Sequence, residues 1–332
     1  MVVAHDQDEN AYEGGIGGDG VIAVKKIEKI DMSSFDSCRK EIRQRVWEAA
    51  SDIGFFQLVN HLVPKDMIAK MFDYSEQFFS LPMEKKQALA YKKEFNAGFE
   101  YLAQIRPSTG TPDQKESFTM SGRAMTRDFW PSEDDLPGFK EFVIKFMRTS
   151  YKVAKQLFEC FAESLGFEPD FFNLLHDLDA EDSQIALRLL HYHDCTGRTF
   201  APGYWRAGAH TDWDSLTLLY QREGQGGLEV CGGKAALEGK VEWSPVEPRL
   251  GDITVNIGDM LKRWSDDRLK STWHRVRLPR EGEYMGPRYS IAFFTQANYS
   301  AVIQGPGKAY PAITAGEFQL QRINNSYGTR GA

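Results

Sequence analysis

A chain of 332 residues, 42% hydrophobic and 13% aromatic, can bury a substantial core as one large mixed domain or two ordinary ones. Its formal net charge of −7 argues against nucleic acid as the main partner, since phosphate binding calls for a basic patch. The chain lacks a run of the ~18 apolar residues a membrane span needs. The N-terminus MVVAHDQDENAYEGG is no secretory signal, and the four cysteines (38, 160, 195, 231) lack C-x-x-C spacing, so free thiols in a reducing, cytoplasmic setting are expected.

Residues 1–20, rich in Gly, Asp and Glu, predict a flexible tail, with a lid as its alternative role. VIAVKKIEKIDM (21–32) reads as two strands, the second ending at Asp31. Ile42, Val46, Ala49 and Ile53 at helical spacing predict a helix over 36–53, stopped by Gly54. FFQLVN (55–60) reads as a strand. Pro64 then opens a helix with Ile68, Met71, Phe72, Phe78 and Phe79 on its apolar side, and LPMEKKQAL restarts a short helix after Pro82. Residues 90–135 read as mixed and loop-rich. The longest helical pattern covers 137–166, with Phe139, Phe142, Phe146, Val153, Leu157 and Phe161 on one side, and is expected to back a sheet. From about residue 184, eight short apolar or alternating runs separated by turn residues predict a β-sandwich or barrel.

The most informative residues are His210, Asp212 and His274, in RAGAHTDWDSLTLL (206–219) and LKSTWHRVRLP (269–279). Positions i and i+2 of an extended segment share a face, which aligns His210 with Asp212. His274 lies 62 residues beyond Asp212 and must arrive through the fold. Two histidines and a carboxylate on one side of a metal leave three positions open. That suits non-haem Fe(II), which must take a co-substrate and O₂ side by side. H-x-D alone is a weak signal. The ordered set carries the weight: H-T-D, an apolar run, N-I-G-D (256–259), K-S-T-W-H-R-V, then R-Y-S.

With these motifs the chain resembles the Fe(II)- and 2-oxoglutarate-dependent dioxygenases of the isopenicillin N synthase-like group, from about residue 25 to about 325. LRLLHY, AGAHTDWDSLTLLYQ and RWSDDRLKSTWHRV are most similar to fungal members such as thymine hydroxylase and secondary-metabolite oxygenases. The resemblance implies an α+β fold: a double-stranded β-helix (jelly-roll) core with helices packed on one side. It also implies a mostly helical N-terminal region (21–135), a long backing helix plus catalytic core (136–325) and a C-terminal tail (326–332). Fe(II) would be the metal, 2-oxoglutarate and O₂ the co-substrates, and ascorbate a candidate reductant.

Within that resemblance, Arg288 and Ser290 match the R-x-S pair that grips the distal carboxylate of 2-oxoglutarate. Arginine offers a permanently charged fork suited to a carboxylate. Tyr192 matches a tyrosine that donates a hydrogen bond to the same group. Arg188 shares the face of Tyr192 by period two and is expected to contact substrate or to form a supporting salt bridge. Phe294, on the face of Arg288 and Ser290, would line the substrate side. Trp205, Trp213, Phe99 and Tyr101 are candidates for the pocket wall. Where many relatives carry Pro after the tyrosine, this chain has His193-Asp194, and His193 is expected on the opposite face and not as a ligand. Asn256, Gly258 and Asp259 are expected in a turn with a structural role. No general base is needed beyond the metal ligands.

The expected function is oxidation of an unactivated C–H bond of a small organic molecule, a natural-product intermediate, by a monomer or weak dimer. Three alternatives stand beside it: a 2-oxoglutarate-independent oxidase or cyclase using R-x-S for a substrate carboxylate, a zinc hydrolase, and a non-catalytic jelly-roll binding protein.

Overall fold

Period-two alternation decides which side of the sheet each residue serves. In the strand Arg288–Thr295, Tyr289, Ile291 and Phe293 pack into one core with the helices, whereas Ala292 and Phe294 pack into a second core shared with the other sheet. The computed structural model behind this description covers residues 20–23, 25–105, 110–200, 203–232 and 241–327, the side chains of 323–327 aside.

The major sheet has eight strands in the order β2-β3-β11-β8-β13-β6-β5-β4. These are β2 (Glu28–Asp31), β3 (Phe55–Val59), β4 (Gly98–Tyr101), β5 (Lys115–Ser121), β6 (Ala186–Tyr192), β8 (Leu216–Gln221), β11 (Ile253–Ile257) and β13 (Arg288–Thr295). The minor sheet runs β1-β10-β9-β12-β7, from β1 (Val21–Ile22), β7 (Ala207–His210), β9 (Leu228–Cys231), β10 (Glu242–Pro245) and β12 (Trp273–Val276). Leu190 and Tyr192 of β6 meet Ala207, Leu228, Val230 and Val276 of the minor sheet in one cluster, so the two sheets face each other as a jelly roll. A further hairpin joins β14 (Val302–Ile303) to β15 (Ile313–Thr314).

Helices α1 (Arg39–Asp52), α2 (Lys65–Ser80), α3 (Met83–Gln87), α4 (Phe139–Leu165) and α5 (Phe171–Leu175) come before β6, and α6 (Asp259–Trp264) and α7 (Ala315–Tyr327) come after it. The backing helix α4 buries Phe146, Val153, Leu157 and Phe161 against the outer side of the major sheet. Truncating such a phenylalanine to alanine costs about 3–5 kcal/mol. Gly54 ends α1 with φ +78, and an added Cβ there would lie 2.0 Å from the carbonyl oxygen of Lys270, so glycine is required on both counts.

Three expectations need correction. Residues 90–135 contain β4 and the wholly buried β5, so the region 21–135 supplies four strands of the major sheet besides its helices. Strand β5 hid because its inner face is polar throughout: Lys115, Ser117, Thr119 and Ser121 alternate with Glu116, Phe118 and Met120. Asn256 lies on β11 and Asp259 opens α6, so these residues are not a free turn. The C-terminal helix runs to Tyr327, past the expected boundary at 325. The tail expected over 1–20 lies outside the described residues except Gly20, and 328–332 of the C-terminal tail also lie outside them. Among the described residues, no helix is long and apolar enough to cross a membrane.

Candidate metal and co-substrate site

Strands β7 and β12 are antiparallel neighbours, with His210 and His274 as direct partners. Their rings lie 4.3 Å apart. His210 Nδ1 sits 2.7 Å from the Gly208 carbonyl and His274 Nδ1 3.1 Å from the Thr272 carbonyl. A carbonyl can only accept, so each Nδ1 carries a proton and each Nε2 keeps its lone pair for a ligand. Asp212 Oδ1 lies 3.8 Å from His210 Nε2 and 3.7 Å from His274 Nε2. Two bonds of ~2.1 Å to one ion span at most about 4.2 Å, so the three atoms fit around a single metal.

Asp212 reaches this position differently from the extended-segment expectation. Strand β7 ends at His210, and Asp212 stands in the following loop. That loop is gripped by the start of α6: the amides of Gly258, Asp259 and Met260 donate to the carbonyls of Ser215, Asp212 and Asp214. A Cβ on Gly258 would lie 2.1 Å from the Asp214 carbonyl oxygen, so the close approach demands glycine. Thr217 Oγ1 and Asn256 Nδ2 donate to Asp212 Oδ2 at 2.6 and 2.8 Å. One oxygen is thereby tied back and the other left for a metal. Burial first, and then the charge of Asp212, push the Asp214 carboxyl well above the ordinary range. Sequence reasoning assigned Asn256 no part in the site and overlooked Thr217. Their signal was the polar residues at alternate positions of two central strands, Thr217 and Gln221 on β8 and Thr254 and Asn256 on β11.

Arg288 is 1% exposed and has no carboxylate partner among the described residues. Its Nε donates to the carbonyls of Gln225 and Gly226, Nη1 to Ser290 Oγ at 3.3 Å, and Nη2 to Gln221 Oε1 at 3.0 Å. Tyr192, its register partner on β6, lies under the guanidinium at 4.9 Å. Burial, the largest influence, pulls the Arg288 pKa down, yet an arginine stays charged in proteins. A buried, uncompensated guanidinium calls for an anion. The donor set and this cation together fit a divalent metal and a dicarboxylate.

Arg188 and Phe294 share the inner face with Arg288. Arg188 Nε donates to Thr119 Oγ1 at 2.8 Å, and its guanidinium lies 5.6 Å from the Phe294 ring centroid. Its terminal nitrogens have no partner among the described residues, so it forms no supporting salt bridge there. Trp213 is half-buried in the metal loop. Phe99 and Tyr101 are a correction: their register partners are Phe118 and Glu116, on the helix side of the sheet. Phe99 joins the helix-side core, and Tyr101 packs on His193. Trp205 is another correction, its ring stacking on Arg275, whose side chain points away from the face carrying His274.

Glu116, His191 and His193 also have ligand-like spacing, on the helix side. Lys86 Nζ already occupies Glu116 Oε2 at 2.7 Å, and His191 Nδ1 occupies Oε1 at 2.7 Å. This carboxylate is satisfied internally. His193 stays apart from the His210 group, on the face expected of it.

Two family models match the chain: non-haem dioxygenase in morphine synthesis N-terminal over 27–133, and the 2OG-Fe(II) oxygenase superfamily over 183–297. Proline hydroxylase buaE of Petromyces alliaceus is 32% identical over 91% of this chain and 100% of its own. The 2-oxoglutarate-Fe(II) type oxidoreductase hxnY of Emericella nidulans is 30% identical over 90% of each chain. A full-length Neurospora crassa protein, solved in complex with alpha-KG and thymine, superposes with a TM-score of 0.77 at 29% identity, covering 95% of this chain and 100% of that one.

Proposed function

The chain belongs to the 2OG-Fe(II) oxygenase superfamily and is a 2-oxoglutarate-dependent dioxygenase acting on small molecules; on that premise we propose that it hydroxylates an unactivated C–H bond of a small, ring-containing natural-product intermediate bearing a carbonyl or carboxylate. The observation that carries this reading is the inner face, where a tied-back Asp212, an uncompensated Arg288 and a part-partnered Arg188 stand between the two sheets.

His210, Asp212 and His274 hold Fe(II), and Arg288 with Ser290 and Tyr192 holds the distal carboxylate of 2-oxoglutarate. Iron with 2-oxoglutarate and O₂ supplies the oxidising power, the co-substrate leaving as succinate and CO₂. The protein's part is orientation. Gln221 and the Gln225 and Gly226 carbonyls fix the Arg288 fork in advance, so binding the co-substrate costs little side-chain entropy. Arg188, steadied by Thr119, offers its terminal nitrogens to a substrate oxygen, and Phe294 presents a ring face beside it. Phe294, Leu219 and Trp213 keep the substrate side poor in water. The names of two relatives support the substrate class: one is a proline hydroxylase, and another was solved with thymine. Desaturation or ring rearrangement would need the same residues and a different substrate pose.

The test is an anaerobic titration. Fe(II) followed by 2-oxoglutarate should raise a visible charge-transfer band that is absent in Asp212→Ala and weakened in Arg288→Ala. Iron binding without a band would transfer Arg288 to the substrate and place the chain among enzymes that dispense with 2-oxoglutarate.

A further inference from the structure

Helix α7 (Ala315–Tyr327) lies beyond the stretch that matches the superfamily model, which ends at 297, yet a chain of contacts leads from it to the metal loop. Arg322 Nη2 lies 3.4 Å from Asp259 Oδ2. The same oxygen accepts from Thr211 Oγ1 at 3.1 Å. Thr211 stands between His210 and Asp212, and the Asp259 amide donates to the Asp212 carbonyl at 2.8 Å. Asp259 is 4% exposed, and its charge, together with that of Asp212, bears on the buried Asp214 carboxyl. A carboxylate buried among others is held in one place only if a cation and hydrogen bonds fix it.

The helix itself is docked firmly. Ala315 and Phe318 are 0% and 4% exposed, the amides of Ala315 and Gly316 donate to the carbonyls of Ala301 and Tyr299, and Gln319 donates to Gln296. Phe318 lies 5.4 Å from the Arg322 guanidinium and steadies its stem.

We propose that Arg322 is a positioning residue for the metal centre: through Asp259 it fixes Thr211 and so the placement of Asp212 relative to the two histidines, making α7 a brace of the site. The proposal rests on the metal reading of His210, Asp212 and His274. Its sign can be decided, because two effects oppose each other. Removing a cation near a divalent metal tightens binding by Coulomb's law, whereas loosening the ligand loop weakens it. At this remove from the ion, and with water at the half-buried Arg322, the geometric effect should win.

The experiment uses the full-length, metal-free protein titrated with Co(II), read by its visible bands and by calorimetry, alongside thermal unfolding. Arg322→Gln and Thr211→Val should each raise the Co(II) Kd about tenfold, the lower end of what ligand-supporting contacts give. Arg322→Lys, which keeps the charge, should recover part of that loss. The double variant should be no worse than the worse single one, since both cut the same chain at Asp259. Arg322→Gln binding Co(II) as well as or better than the parent would overturn the proposal, as would single effects that multiply. A parent protein whose Co(II) bands persist in Asp212→Ala would sink the metal reading itself, a separate outcome.

Discussion

The two sides of the major sheet treat polar groups in opposite ways. On the helix side, His176 spends both ring nitrogens, on the Phe172 carbonyl and the Ser215 hydroxyl, each at 2.8 Å. Glu116 spends both oxygens on Lys86 and His191. Tyr220 and Ser150 pair hydroxyl to hydroxyl at 2.8 Å. Between the sheets, His210 and His274 each place Nδ1 on a backbone carbonyl, Asp212 gives Oδ2 to Thr217 and Asn256, and among the described residues Arg288 meets neutral acceptors alone. Residue type does not distinguish the two groups. Leftover valence does: a saturated buried network contributes to stability, and one stopped short of saturation is ready for a ligand.

Substitutions can break this comparison. The largest effect is expected from Lys86→Met, which leaves the Glu116 carboxylate buried with one partner fewer and should cost about 3–5 kcal/mol in denaturant unfolding. Metal affinity should stay within about twofold of the parent in the same variant; a large change there would mean the two faces are not separate. Next comes acid. Burial, the dominant cause, lowers the His176 pKa from 6.5 to about 4. The unfolded chain therefore takes up this proton near pH 6.5 and the folded one only near pH 4. Stability should fall by about 3 kcal/mol as pH drops through that window, with no further loss from this group below it. The drop in melting temperature over that range should shrink in His176→Gln.

Smaller effects belong to the inner face. Arg288→Gln should raise the 2-oxoglutarate Kd by about 10- to 150-fold, the range for a charge-assisted hydrogen bond, with the melting temperature held or raised because the buried charge is gone. Simple loss of stability with unchanged co-substrate affinity would make Arg288 a structural group like Lys86. Last, Arg188→Ala should raise the substrate KM by about tenfold and increase 2-oxoglutarate turnover without substrate oxidation, leaving co-substrate affinity alone.

Much of this was readable from sequence where a pattern had one meaning. The R-x-S alternation placed Arg288, Ser290 and Phe294 on one face of β13, and LRLLHY placed Arg188 and Tyr192 on one face of β6, because period two is a property of any strand; the register joins the two as a single inner face. Phe99 and Tyr101 were misplaced for the same reason: without β5 there was no partner to show which face of β4 looked inward. Strand β5 itself was hidden by its polar face, since Lys115, Ser117, Thr119 and Ser121 break the apolar alternation that announces a strand. The grip of α6 on the Asp212 loop lay out of reach, because backbone amides carry no residue signature.

The pairing of His210 with His274 across adjacent strands also bears on how the chain folds. These residues are 64 positions apart, and nothing local brings them together. Their proximity appears only when the long-range registration of β7 on β12 is made. An ion added to the refolding chain therefore meets no template until that registration is made, and should leave the rate of folding almost unchanged. Once bound, it must be shed before β7 and β12 can part, so its whole stabilisation should appear as slower unfolding.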